Sequence, residues 1–216
     1  YLYPPSGTLL MAPLAYIDPE RARWLFIVVS VIALIAAAYF LVKLFGFSAS
    51  SVAFPAVLFF FFCTETVSHT LIFTNFNSFV LLGEVLFMTL ALKRKDLWAG
   101  VPLGITFAVK PVLAVLLLLP LLSRQWKVFV GAVGVPLVLT ALAWPLTSDP
   151  MDFVKRTVPY LGEARDYYNS SIAGNGAYFG VQPWLLYVLR IAFVLMAAFS
   201  LWFLYTQYRR TDELLW

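Results

Sequence analysis

Charge is scarce in this sequence. Only 12% of its 216 residues are Asp, Glu, Lys or Arg, where a soluble domain uses roughly a quarter. Too few charges are present to cover a water-facing surface, which excludes an ordinary soluble domain and makes lipid the expected solvent. Cysteine is limited to Cys63, so no intrachain disulfide can form, and its place inside an apolar run predicts burial. One His and one Cys make no metal-ligand set, and no cofactor is expected. An initiator Met and a signal peptide are both lacking, and the chain opens within a loop. It reads as one transmembrane domain over 1–216, a fragment lacking N-terminal and later C-terminal segments. Internal repeats at solenoid periods and low-complexity tracts are also missing.

What is abundant is apolar. The hydrophobic share is 62% and the mean hydropathy +0.86. Seven Trp, eleven Tyr and twenty Phe suit the aromatic belts of a membrane protein. Near-continuous apolar runs occupy 24–42, 51–73, 76–92, 97–109, 111–122, 128–146 and 183–206. A spanning helix needs about 20 apolar residues; the first run meets that, and the second, third, sixth and seventh come close. The fourth and fifth are too short to span singly and meet at Lys110-Pro111, where proline ends the helical ladder. That pair is predicted to form a hairpin or broken re-entrant unit with Lys110 at its apex. The fold class is therefore all-α, a polytopic transmembrane helical bundle of about seven hydrophobic segments with short broken helices.

The net charge of +4 could suggest nucleic acid, but the placement of the bases excludes that partner. Lys43, Lys93, Arg94, Lys95, Arg124, Lys127, Arg209 and Arg210 lie in short connections. With alternate crossing all of them fall on one face, the cytoplasmic one by the positive-inside rule. Residues 1–23, 66–77, Lys110 and 147–182 fall on the other, expected to be periplasmic. Within that last stretch, 151–168 could lie on the bilayer surface as an amphipathic helix interrupted at Pro159.

Polar groups within apolar runs are costly, about 2.5–3.5 kcal/mol for a charge at a helix centre, and so carry information. Lys110 could meet a lipid phosphate at the headgroup level, or snorkel from a helix end. Glu65 and His69, four apart and on one helical face, could act as acid and base or simply bond each other. Glu84 needs a cation from a neighbouring helix, and Arg190 could supply it or snorkel outward. Thr74-Asn75-Phe76-Asn77 and Asn169-Ser170-Ser171-Ile172-Ala173-Gly174-Asn175-Gly176 could bind hydroxyl-rich ligands or serve as turns.

Three elements in order resemble the polyprenyl-phosphate-dependent GT-C glycosyltransferases of family 87. They are Tyr1-Leu2-Tyr3-Pro4-Pro5 with its apolar continuation to Pro13, the Ala99-Gly100…Leu103-Gly104…Val109-Lys110-Pro111 series, and Asn169-Ser170-Ser171-Ile172. LYPPSGTLLMAPLAY, TETVSHTLIFTN, LLSRQW and RDYYNSSIAGNGAYFG are similar to its arabinofuranose-transferring members. The resemblance implies a multi-pass inner-membrane enzyme with a periplasmic active site. It implies a decaprenylphosphoryl-arabinofuranose donor and the arabinan of arabinogalactan and lipoarabinomannan as α-1,3-branched acceptor. The family's catalytic aspartate precedes Tyr-Pro-Pro, so the base is expected upstream of Tyr1, with Asp166 and Glu65 as supporting candidates. Lys110 is the expected donor-phosphate contact. Tyr3, His69, Asn75, Asn77, Arg165, Asn169, Ser171 and Asn175 are the expected substrate-binding residues. Broken helices with intramembrane Glu65, Glu84 and Lys110 would also suit a lipid-linked-sugar flippase or transporter, and a mannosyltransferase would share the motifs. A carrier needs gates on both faces, whereas the polar loops here gather on one.

Overall fold

The computed structural model describes residues 3–93, 96–163 and 171–211. All regular structure among them is helical. The chain forms two units, Tyr1–Phe153 and Val154–Trp216.

The first unit begins with α1, Pro5–Met11, followed by a 3-10 turn, Ala12–Tyr16. Helix α2, Pro19–Leu44, starts where Asp18 Oδ1 accepts the backbone N–H groups of Glu20 and Arg21 at 3.1 and 3.2 Å. Pro19 at the first helical position, Glu20 in the first turn and Lys43 in the last all suit the orphan amides and the helix dipole. One face of α2 is small and buried, with Ser30, Ala33, Ala37 and Ala38. The opposite face exposes Val28, Ile32, Ile35 and Tyr39. A water-facing helix would carry charge there; an apolar outer face is what lipid solvates.

The run 51–73, expected as one span, is instead two helices, α3 (Ala53–Phe62) and α4 (Glu65–Ile72), bent by 63°. Thr64 between them is extended, and its hydroxyl donates to the Phe61 carbonyl at 2.8 Å. A polar Thr-Glu-Thr step that bonds its own backbone competes with a continuous helix. Cys63, expected buried, is exposed at this bend: an apolar run packs inward only where a neighbouring helix covers it.

Helix α5 (Asn77–Leu92) and α6 (Asp96–Val109) pack side by side. The chain then breaks at Lys110 and resumes as a 3-10 turn, Pro111–Leu117, and the short α7, Leu118–Leu122. Helix α8, Trp126–Ala143, lies along α6 in the tightest pairing of the molecule. A Cβ on Gly100 would come within 2.5 Å of the Val128 carbonyl and 2.9 Å of Gly131 Cα. Gly100 and Gly104 therefore form a small-residue stripe that lets two backbones touch. Phe87, Ala99, Leu103, Phe107, Val128 and Ala132 form the buried core around it, with Leu113, Leu116, Leu117 and Leu119 packed against them.

The second unit contains a π-helical turn (Phe153–Thr157, beginning at the boundary residue), α9 (Val158–Gly162), α10 (Ile172–Tyr178) and α11 (Pro183–Thr211). None of the apolar window of α11 is buried within the protein. Among the described residues, α2, α8 with its continuation to Leu146, and Pro183–Gln207 of α11 are long and apolar enough to cross a membrane. The bent α3–α4 pair would make a fourth. The remaining apolar helices, Asn77–Leu92, Leu97–Val109 and Pro111–Leu122, are shorter, at 10–17 residues.

Candidate functional site

The break at Lys110 is the centre of a polar cluster within the first unit. Pro111 has no N–H to continue the ladder, so α6 closes with the Lys110 N–H donating to Thr106 at 2.8 Å. The Ala108 carbonyl, orphaned by the break, accepts the Ser6 hydroxyl at 2.7 Å from α1. Lys110 itself is half-buried with an extended backbone, φ −128° and ψ 85°. Its Nζ donates to Asn77 Oδ1. Asn77 Nδ2 in turn donates to Thr70 Oγ1 at 3.2 Å, and that hydroxyl donates to the Thr66 carbonyl at 2.8 Å.

The turn that presents Asn75 and Asn77 is strained. Thr74 sits at φ +48°, a region that costs a β-branched residue about 1–2 kcal/mol. The Thr74 and Asn75 N–H groups reach back to Leu71 and Thr70 carbonyls at 3.3 and 2.9 Å, a Schellman closure of α4. Asn75 Oδ1 then accepts the Tyr3 hydroxyl at 3.3 Å. The Tyr3 ring meets Phe76 edge-on at 5.1 Å, and Phe76 meets Phe26 at 5.6 Å. Burial holds the Tyr3 phenol above its ordinary pKa, with a hydrogen bond accepted from the Phe76 backbone N–H pulling the other way. It therefore remains a neutral donor at physiological pH.

Four of the predicted residues, Tyr3, Asn75, Asn77 and Lys110, thus come together from α1's approach, the α4–α5 turn and the α6 break. Glu84, two turns along α5 from Asn77, interacts electrostatically with Lys110. Lys110 is thus an electrostatic partner of Glu84 within the first unit; in the second unit the exposed Arg190 guanidinium lies 5.9 Å from the Tyr187 ring centroid. Glu65 and His69 do bond each other at 3.4 Å, with the Glu65 and His69 side chains 83% and 57% exposed. In the second unit, Ser171 Oγ accepts the Gly174 N–H at 3.0 Å and caps α10, and Asn175 is an exposed residue of that helix. Arg165, Asp166 and Asn169 lie outside the described residues. Sequence reasoning missed Ser6 and Thr70, whose roles come from distant backbone and side-chain partners.

Beside this cluster lies an apolar groove of about 340 Å³ between α1 and its following turn, α2, α5 and α6. Val109 and Phe76 line it, and they directly precede Lys110 and Asn77 in the chain. Lys110 and Asn77 do not line the groove themselves but are the chain neighbours of two residues that do.

The sequence profile of glycosyltransferase family 87 matches residues 1–216. The chain belongs to glycosyltransferase family 87. Two relatives with the name α-(1→3)-arabinofuranosyltransferase, from Mycolicibacterium smegmatis and Mycobacterium tuberculosis H37Rv, are each 50% identical to this family-87 chain over 219 residues. The match covers 100% of the chain and 51% of either relative. A namesake from Corynebacterium glutamicum is 36% identical over 217 residues, covering 100% of the chain and 52% of that protein. The chain thus spans about half the length of the curated relatives it matches. No solved structure matches it significantly.

Proposed function

We propose that this chain forms the donor-binding part of a membrane glycosyltransferase acting on the periplasmic side of the inner membrane. Its reaction moves arabinofuranose from a decaprenyl-phosphate donor onto cell-wall arabinan, creating an α-1,3 branch. The observation that carries this reading is the Lys110–Asn77 contact, whose chain neighbours Val109 and Phe76 line the apolar groove. A polyprenyl phosphate has the same two-part character, an apolar tail joined to one anionic headgroup, and its tail would follow the groove. The sugar and the linkage are carried over from the relatives' names.

In the reaction an acceptor hydroxyl oxygen attacks the anomeric carbon. The bond from that carbon to the phosphate oxygen breaks, and the phosphate departs with the electron pair. Lys110 stabilises that developing charge from a water-poor site, where a fixed cation acts strongly. The acceptor proton passes to the base expected ahead of Tyr1.

The test is binding of decaprenyl phosphate to the protein in nanodiscs, together with transfer to an arabinan oligosaccharide. Ile105→Trp, which fills the groove wall, is expected to weaken lipid binding while the protein stays monodisperse. Undiminished lipid binding in both Ile105→Trp and Lys110→Gln would overturn the assignment. Lipid movement across vesicles without transfer would favour a flippase.

A further inference from the structure

A second recess borders Tyr3, between α1 and the loop that leaves α8. Tyr3, Pro5, Thr8, Thr147, Asp149 and Phe153 line it, and its volume of about 10 Å³ admits a hydroxyl rather than a ring. The hydrogen bonds of its lining sort its chemistry. Thr8 Oγ1 donates to the Pro4 carbonyl at 3.3 Å, and Thr147 Oγ1 donates to the Ala143 carbonyl at 2.9 Å. The Tyr3 hydroxyl donates to Asn75. The Thr8 and Thr147 protons are directed to backbone carbonyls, so their oxygens can accept hydrogen bonds. Asp149 Oδ1 accepts the Met151 N–H at 3.1 Å, so the second carboxylate oxygen keeps its acceptor capacity. The threonine oxygens and the negative Asp149 carboxylate of the lining therefore accept hydrogen bonds, whereas the Lys110–Asn77 cluster offers a cation.

We propose that this recess is a sugar-hydroxyl subsite for the acceptor, with Asp149 as its principal hydrogen-bond acceptor and Tyr3 as the wall shared with the donor cluster. The proposal rests on the glycosyltransferase reading above. Acceptor-only lining selects a ligand that brings its own donors, which a neutral polyol does. Its carboxylate repels a phosphate, so donor headgroup and acceptor sugar are sorted into separate places. The Phe153 and Tyr3 rings give a furanose ring a surface to rest on while one hydroxyl enters. A metal ion is the less suited occupant, because among the described residues no three His, Cys, Asp or Glu side chains cluster to hold one.

The experiment uses the full chain in nanodiscs, with two probes titrated separately: a neutral linear arabino-oligosaccharide and decaprenyl phosphate. Asp149→Asn keeps an oxygen for the Met151 N–H and so preserves the loop. It is expected to weaken oligosaccharide binding about tenfold, the effect of losing a charged hydrogen-bond acceptor, while lipid binding stays within twofold. Thr147→Val should weaken the oligosaccharide by a smaller factor in the same direction. Oligosaccharide affinity unchanged in both variants, with lipid still bound, overturns the subsite and leaves the donor reading standing. Failure of the wild-type chain to bind either probe overturns both. Competition by sodium or ammonium that is abolished in Asp149→Asn would make the recess a cation site instead.

Discussion

The surroundings of Lys110 and Arg190 separate these two cations. Arg190 is exposed beside Tyr187, where a long side chain reaches polar surroundings from an apolar helix. Lys110 is half-buried, bonded to Asn77 and within the field of Glu84. Lys110→Gln should weaken donor binding and lower transfer by roughly ten- to hundred-fold, as expected for a charge-assisted contact of about 1.5–3 kcal/mol. Circular dichroism and gel filtration should show the variant folded. Normal donor affinity in that protein would return Lys110 to the snorkelling role. The Glu65–His69 pair makes the opposite case. Both side chains are largely exposed, and surface pairs of this kind contribute little. Glu65→Gln and His69→Gln are expected to keep transfer within about twofold of the parent; a loss beyond tenfold in either would give the pair a role in chemistry.

Among the helices, the α6–α8 contact decides whether the Lys110 break is held in place. Gly100 has no room for a methyl group, because the Val128 carbonyl and Gly131 Cα already occupy its side. Gly134, on α8 itself, has open space where a methyl group would stand, with nothing within 4 Å. Gly100→Ala should therefore lower stability by about 1–3 kcal/mol through overpacking. Gly134→Ala should be neutral or slightly stabilising, because alanine favours helix by up to about 1 kcal/mol. Thermal unfolding in one detergent would compare them, and equal melting temperatures would remove the close-packing argument. The α4–α5 turn holds strain of another kind. Thr74 at φ +48° is a position where Gly would relax the backbone, yet the turn places Asn75 under Tyr3 and Asn77 under Lys110. Strain of this sort persists where the surroundings over-determine the conformation.

For the whole molecule, the proposed orientation rests on the basic connections. Single cysteines in a Cys63→Ser background would report it with a membrane-impermeant thiol reagent on intact cells. Ser148→Cys is expected to label from outside, and Ser48→Cys and Lys93→Cys only after the membrane is opened. Labelling of Lys93→Cys in intact cells would reverse the topology. The membrane setting was legible in the sequence because it depends on totals, and 62% apolar against 12% charged residues leaves no other solvent. The break at Lys110 was legible because proline acts locally, through its missing N–H and its ring. Asn75, Asn77, Tyr3 and Lys110 could be named as polar exceptions in an apolar chain. That they share one cluster, with Ser6 and Thr70 closing it, depended on contacts across up to 102 residues of sequence. The bend at Thr64, the exposure of Cys63 and the electrostatic interaction of Glu84 with Lys110 also belong to tertiary structure. Each depends on which helix lies alongside, and periodicity within one segment carries no record of its neighbours.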